Sequence, residues 1–549
     1  MRTRSVIPAV AWLLAATAAQ AQQPTLFPLP AAPNVCVDVP LRITFDTPPK
    51  LGTGHIEVHD AADGALVESI DVTQTKSKTI GGLQNFTYRP VIISGNSAII
   101  ALQQPLQYHK HYYVTIDAGA IGDIPAITGQ TAWTFSTKDA PPVVHDLIHV
   151  QADGTGDFAS VQGAIDAVPQ GNNTPITIQI GKGTYEEIVC ILNRNHLTFL
   201  GDDRQKTIIE YPNNDKFNNN SNGNPFAPGA NPATAPARTG SVYRRGMFLA
   251  HRVTDLTIAN LTLHNTTPKG GSQAEALILN GTAAAHAILT NCDLYSFQDT
   301  LQINGQAYIS DCFIEGDVDF MWGTGPCFFE NVHARSLRSG AYYTQIRNPA
   351  THHGYVYKDC LFDGAEGVVN NMLSRIEPLR FPGSEVVLLK CVLTPAVSTV
   401  AWRIASAHEA PDINFWEYNR RDPSGKPVDV SKRLAVSKQL QQPGDAETIA
   451  HYSDPAWVLG GDWKPQLGPL AMPETSIHAA AGSDTLLRAP VLCVPPPTVQ
   501  WQRAGQDLPG KTGLTLTLPG IKAADAGEYA AVIQGNGQTV TVKTRLVVD

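Results

Sequence analysis

Six short runs in the middle of the chain share one layout: apolar residues at strand spacing, then an Asn, Asp or Lys, then one more apolar residue or a Cys. They are D-L-T-I-A-N-L-T-L around Asn260, A-I-L-T-N-C-D-L at Asn291, A-Y-I-S-D-C-F-I at Asp311, C-F-F-E-N-V-H-A at Asn331, Y-V-Y-K-D-C-L-F at Asp359 and V-V-L-L-K-C-V-L at Lys390. Their spacings are 31, 20, 20, 28 and 31 residues. A repeat of this length marks stacked units, each burying its apolar face on the next. One coil per 20 residues with loops of variable length predicts a right-handed parallel β-helix over 144–473. The column after the landmark, Leu261, Cys292, Cys312, Val332, Cys360 and Cys391, is predicted to face inward.

The flanks follow a different rhythm. From 28 to 139, runs such as P-L-R-I-T-F-D, H-I-E-V-H-D and Y-Y-V-T-I-D alternate with turn residues, which predicts a β-sandwich resembling bacterial Ig-like domains. Ala140-Pro141-Pro142 reads as a linker. From 477 to 549, Trp501 and the run Asp525-Ala526-Gly527-Glu528-Tyr529 resemble the core Trp and tyrosine corner of an Ig-like domain, with Ala531 where a disulfide Cys would stand. The fold class is therefore all-β, a β-helix between two Ig-like sandwiches. Asn213 to Arg238, rich in Asn, Pro, Gly and Ala, reads as a long loop.

Composition narrows the setting. Met1-Arg2-Thr3-Arg4, an apolar run from Val6 to Ala19 and Ala19-Gln20-Ala21 form an export signal, residues 1–21, with cleavage expected after Ala21. No later stretch is long and apolar enough for a membrane helix, so a secreted or periplasmic protein, monomeric and without a membrane partner, is expected. A net charge of -9, with 40 Lys and Arg against 49 Asp and Glu, argues against nucleic acid. In an oxidising compartment Cys292 and Cys312, on successive coils, are candidates for a disulfide.

The candidate chemistry lies on the repeat. Asp299 and Asp319 each fall eight residues after a landmark, Asn291 and Asp311, so coil stacking places them side by side. Two carboxyls that close favour one protonated and one charged form, an acid beside a base. Gln298 and Gln273 add amide donors suited to an oxyanion. Such a set fits acyl transfer without a serine. Gly505-Gln506-Asp507-Leu508-Pro509-Gly510-Lys511-Thr512 satisfies the phosphate-loop pattern, but it runs between two predicted strands with no helix to follow, and nucleotide binding is set aside. No H-E-x-x-H or G-x-S-x-G occurs, and the scattered His residues offer no metal site.

Several stretches then resemble one family. Ala152-Asp153-Gly154-Thr155-Gly156-Asp157-Phe158, Gly183-Thr184-Tyr185-Glu186-Glu187, Gln273-Ala274-Glu275-Ala276-Leu277, Gln298-Asp299-Thr300-Leu301 and Asp319-Phe320-Met321-Trp322-Gly323 are similar in order and spacing to the pectin methylesterases. Asn414-Phe415-Trp416-Glu417-Tyr418 and Leu459-Gly460-Gly461-Asp462-Trp463 extend the likeness. The resemblance implies hydrolysis of methyl esters of polygalacturonate with pectin as partner and no cofactor or metal. It implies Asp319 as nucleophile, Asp299 as acid and then base, Gln298 and Gln273 at the oxyanion, and Arg375 hydrogen-bonded to the nucleophile. In the family that arginine sits in L-G-R-P-W with a sugar-stacking Trp; here the run is Leu373-Ser374-Arg375-Ile376-Glu377, and Phe320, Trp322, Tyr342 and Trp402 are the candidates to contact the sugar instead. The rival readings are an esterase of the same fold on a different ester, a polygalacturonate lyase or hydrolase, and a non-catalytic polysaccharide-binding protein.

Overall fold

The computed structural model describes residues 24–122, 124–218, 244–281, 285–405, 412–461, 463–472 and 475–549. The leader 1–21 and most of the Asn-rich loop lie outside the described residues. Three parallel sheets wind through the middle of the chain. A 10-stranded sheet runs from Leu147–Val150 to Asn414–Tyr418, an 8-stranded sheet from Gly183–Glu186 to Val392–Leu393, and a second 8-stranded sheet from Val189–Leu192 to Trp402–Ile404. Each coil gives a strand to each sheet in turn, and successive coils stay in register, as in the column Ala287, Ala307, Cys327, Tyr355, Val386 and Phe415.

The landmark residues explain how the coil turns. Asn260, Asn291, Asp311, Asn331, Asp359 and Lys390 all have φ between 53° and 59°, in the left-handed region, at the corner between two sheets. Asn and Asp tolerate that region better than other residues with a Cβ, which is why they recur there; Lys390 is the exception. Their amides also join the coils: Asn291 Nδ2 donates to Asn260 Oδ1 at 2.7 Å and Asn331 Nδ2 to Asp311 Oδ1 at 2.6 Å. The next column, from Leu261 to Cys391, is inside and at most 2% exposed.

The expected disulfide between Cys292 and Cys312 is not formed, and both thiols are free. Each turns onto a main-chain carbonyl, Cys292 Sγ onto Thr290 at 3.3 Å and Cys312 Sγ onto Ser310 at 3.2 Å. Burial pushes the Cys312 thiol well above its ordinary value, which withholds the thiolate that disulfide chemistry needs. A reducing agent is therefore expected to leave the thermal midpoint unchanged. A clear drop on reduction would show that the pair is oxidised in solution.

The N-terminal module is a β-sandwich of a 4-stranded and a 5-stranded sheet, from which the hairpin Lys76–Ile80 and Leu83–Tyr88 projects. Ile80, Phe86 and Tyr88 on that hairpin join the core of the β-helix rather than that of the sandwich, with Phe86 0% exposed. The approach is close enough that a Cβ on Gly81 would sit 2.0 Å from the Cys190 carbonyl oxygen, and Arg194 Nη1 donates to the Gly81 carbonyl at 3.2 Å. The seam is completed by Asp38, whose carboxylate accepts from the Ala159 and Ser160 amides at 3.1 and 2.8 Å. So the hairpin closes the first coil, where backbone and apolar side chains would otherwise face water.

After the last coil, the short helices Ala446–Ser453 and Pro455–Leu459 turn back and pack Tyr452, Val458 and Leu459 on the outer face of the 10-stranded sheet. A C-terminal sandwich follows, with Trp501 buried at its centre and Tyr529 Oη donating to the Asp525 carbonyl at 2.9 Å. The residues 505–512 lie in that sandwich between the strands Thr498–Arg503 and Thr515–Leu518, so a strand rather than a helix comes directly after them.

Candidate active site

One face of the second 8-stranded sheet carries the site. Its strands pair Leu277 with Leu301, Leu301 with Met321, Met321 with Thr344, Thr344 with Ser374 and Ser374 with Trp402. Two residues ahead of the first three of these positions stand Glu275, Asp299 and Asp319, so three acids occupy one column on successive coils. The backbone bridge between Gln298 and Val318 fixes the register of Asp299 against Asp319 directly. Both Asp residues sit at corners with positive φ, 66° and 48°. Side chains there are presented at a sharp bend where the sheet begins, and such backbone strain clusters at functional sites.

Three stacked carboxylates would repel one another, and cations hold the column together. Arg245 Nε and Nη2 donate to Glu275 Oε1 at 2.9 and 2.5 Å, and Nη2 also reaches Asp299 Oδ2 at 3.2 Å. Arg375 binds Asp319 from the other side: Nε lies 3.0 and 3.2 Å from its two oxygens, and Nη2 makes a further short bond. Arg347 faces both Asp299 and Asp319.

The two Asp carboxyls are thereby made unequal. Burial pushes Asp299 well above the ordinary carboxylate range, Arg245 opposes this, and the charges of Glu275 and Asp319 push further up. Burial also raises Asp319, but the hydrogen bonds and charge of Arg375, with Arg347, pull back toward the ionised form. The arrangement favours a proton on Asp299 and a charge on Asp319. An ionised carboxylate beside a carboxylic acid can attack an acyl carbon and protonate its leaving group.

Gln298 directly precedes Asp299, and the Ala274 amide next to Gln273 donates to the Gln298 carbonyl at 3.1 Å. The two amide side chains are thus on neighbouring coils beside the acid, both half-buried. Of the four aromatic residues expected to contact a sugar, three are not available for it. Phe320 is 0% exposed and packs on Tyr343, and Trp402 is 1% exposed, against Phe415, with its Nε1 donating to Glu417 at 3.1 Å. Trp322, 3% exposed, lies under Arg245 and Arg347, 5.5 and 5.1 Å from its ring centre. Phe320 and Trp402 alternate into the coil, and the guanidinium groups cover Trp322. Tyr342 is half-buried, with Arg375 4.8 Å over its ring and Arg403 donating to its hydroxyl at 2.5 Å. Glu377, where the resembled motif has its stacking Trp, is exposed and reaches Arg380 at 3.4 Å.

Four residues of this face, Arg245, Glu275, Arg347 and Arg403, were not singled out for the site from the sequence. A usable signal for Glu275 was present, because it stands the same two residues before its strand as Asp299 and Asp319 do. Among the described residues no cluster of three or more His, Cys, Asp or Glu is arranged to hold a metal ion.

The family profile described as Pectinesterase matches residues 147–456, and one described as Bacterial Ig-like domain matches residues 22–137. Pectinesterase 31 of Arabidopsis thaliana is 29% identical over 312 residues, covering 56% of this chain and 91% of that protein. Pectinesterase 1 of Olea europaea is 27% identical over 326 residues, covering 57% of this chain and 80% of that protein. Among solved structures, pectin methylesterase from carrot matches with a TM-score of 0.47 and 21% identity, over 59% of this chain and 96% of that one. With the matched segment spanning the coils that carry both acids, the chain belongs to the pectinesterase family.

Proposed function

We propose that the chain removes methyl groups from methyl-esterified polygalacturonate, with Asp319 as nucleophile and Asp299 as acid and then base. The observation that supports this most is the in-register pair of buried carboxyls, each held by a different guanidinium. Asp319 attacks the ester carbon, and the carbonyl oxygen takes the negative charge, where the Gln273 and Gln298 amides are the candidate donors. Collapse breaks the bond to the methoxy oxygen as Asp299 gives it a proton, and methanol leaves an acyl anhydride on Asp319. Asp299, now charged, takes a proton from water as that water attacks the anhydride; the uronic acid departs and loses its proton to solvent, Asp319 is regenerated and Asp299 is protonated again. Arg375 keeps the nucleophile ionised and oriented. The export signal expected at residues 1–21 supports action outside the cytoplasm.

Methanol release from methylated pectin, followed across pH with and without a chelator, tests this reading. The rate should ignore the chelator, because neither step needs a metal, whereas a calcium-dependent lyase would stop. The profile of kcat/KM should be bell-shaped. Below the lower limb Asp319 is protonated and cannot attack; above the upper limb Asp299 has lost the proton it must give. Because burial raises both carboxyls, the optimum should lie above the range of free carboxylates near ~4. No methanol at any pH, with pectin bound, would leave a carbohydrate-binding protein. The same chemistry on another ester is favoured by one observation, the exposed Glu377 beside the site, which would repel a neighbouring uronate. Faster turnover of small neutral esters than of pectin would select it.

A further inference from the structure

The mechanism above leaves one buried acid of the column without a role. Glu275 is 0% exposed and lies one coil before Asp299. Its Oε1 accepts from Nε and Nη2 of Arg245, while its Oε2 is buried with no hydrogen-bond partner among the described residues. Burial raises Glu275 above its ordinary value, while the charge of Arg245 and its two hydrogen bonds to Oε1 pull it back toward the carboxylate. Arg245 then divides its charge between Glu275 and Asp299, the second contact being the longer at 3.2 Å.

We propose that Glu275 is a positioning residue that acts through Arg245, drawing the guanidinium off Asp299 so that Asp299 keeps the proton needed by the departing methoxide. This rests on the reading of Asp299 as the acid. A lone arginine against Asp299 would stabilise its charged form and leave nothing to donate; a lone Glu275 would be an uncompensated buried charge. Together they place a nearly neutral ion pair behind the acid, fixing its position without ionising it. The other charges facing Asp299 are Asp319 on the next coil, Arg347 just after the strand Tyr342–Ile346, and Arg375 on Met372–Ile376. Asp215, partly exposed, pairs with Nη1 of Arg245 at 3.5 Å, and its charge also bears on Glu275.

The test is the pH profile of kcat/KM for methanol release by the full chain and its variants. Glu275→Gln leaves Arg245 wholly to Asp299, so the alkaline limb should move down by about one pH unit, with the rate recovered at lower pH and the acid limb in place. Arg245→Met with Glu275→Leu removes both charges for apolar groups of similar size, a replacement that buried pairs often tolerate, and the limb should move up. A Glu275→Gln enzyme that is slower at every pH with its limb unmoved would overturn the proposal. If that variant fails to fold, the double variant decides, and an unmoved limb or a second failure to fold would assign the pair to the scaffold alone. A wild-type chain that releases no methanol would instead defeat the reading of the whole site.

Discussion

Asp319→Asn is expected to stop methanol release from methylated pectin, with kcat/KM falling roughly 10⁴-fold or more. The amide has nearly the shape of the carboxylate but no charge with which to form the acyl bond, so both half-reactions are lost together. Asp299→Asn keeps the nucleophile and loses the proton donor, which should cost roughly 10²–10⁴-fold. The two variants should also differ in kind, since an enzyme with Asp319 intact can still be acylated by esters whose leaving group needs no proton, such as a nitrophenyl ester. A burst of nitrophenol from Asp299→Asn and none from Asp319→Asn would separate nucleophile from acid. Stability should change little in Asp299→Asn, where a neutral amide replaces a neutral acid, and should fall in Asp319→Asn, which leaves the Arg375 guanidinium without its counter-charge. Rates near wild type in either variant would sink the assignment.

The second large effect is expected far from the chemistry. Phe86→Ala, on the hairpin of the N-terminal module, should destabilise the catalytic coils by about 3–5 kcal/mol, the usual result of emptying a buried aromatic site. That is a large part of the 5–15 kcal/mol typical of a folded protein. Because Phe86 belongs to the core shared with Ile188, Cys190 and the helix Val161–Ala167, the urea midpoint for loss of esterase activity should fall along with that for loss of tryptophan fluorescence. A module merely tethered to the enzyme would unfold first and leave the activity midpoint where it was. Removing residues 24–139 altogether should give insoluble protein.

The sequence was legible where the fold repeats itself. The landmark column at Asn260 to Lys390 could be read because one backbone geometry recurs at each corner and only a few residue types suit it. That column set the register, and the register brought Asp299 beside Asp319. Arg245 could not be reached in this way, since it is 30 residues from Glu275 and 54 from Asp299, and a long side chain chooses its partners by reach rather than by period. The aromatic contacts failed for a related reason. Trp402 and Phe320 look like sugar platforms in composition, but which side of a strand they occupy depends on how the strand continues from its corner. The hairpin was invisible as a cap: K-S-K-T-I and L-Q-N-F-T-Y alternate like any surface hairpin, and only the neighbouring coil shows what their apolar side covers.

The corner conformation shared by Asp299 and Asp319 also bears on how such an enzyme can change over generations. At a positive φ, Asn costs the backbone little more than Asp does, whereas most other residues cost about 1 kcal/mol or more. The one-step exchange that silences the chemistry is thus also the one the coil accepts most readily. A lineage released from selection for ester cleavage can keep its coils, its hairpin and its binding face and become a carbohydrate-binding descendant through a single substitution, and it can return by the same route.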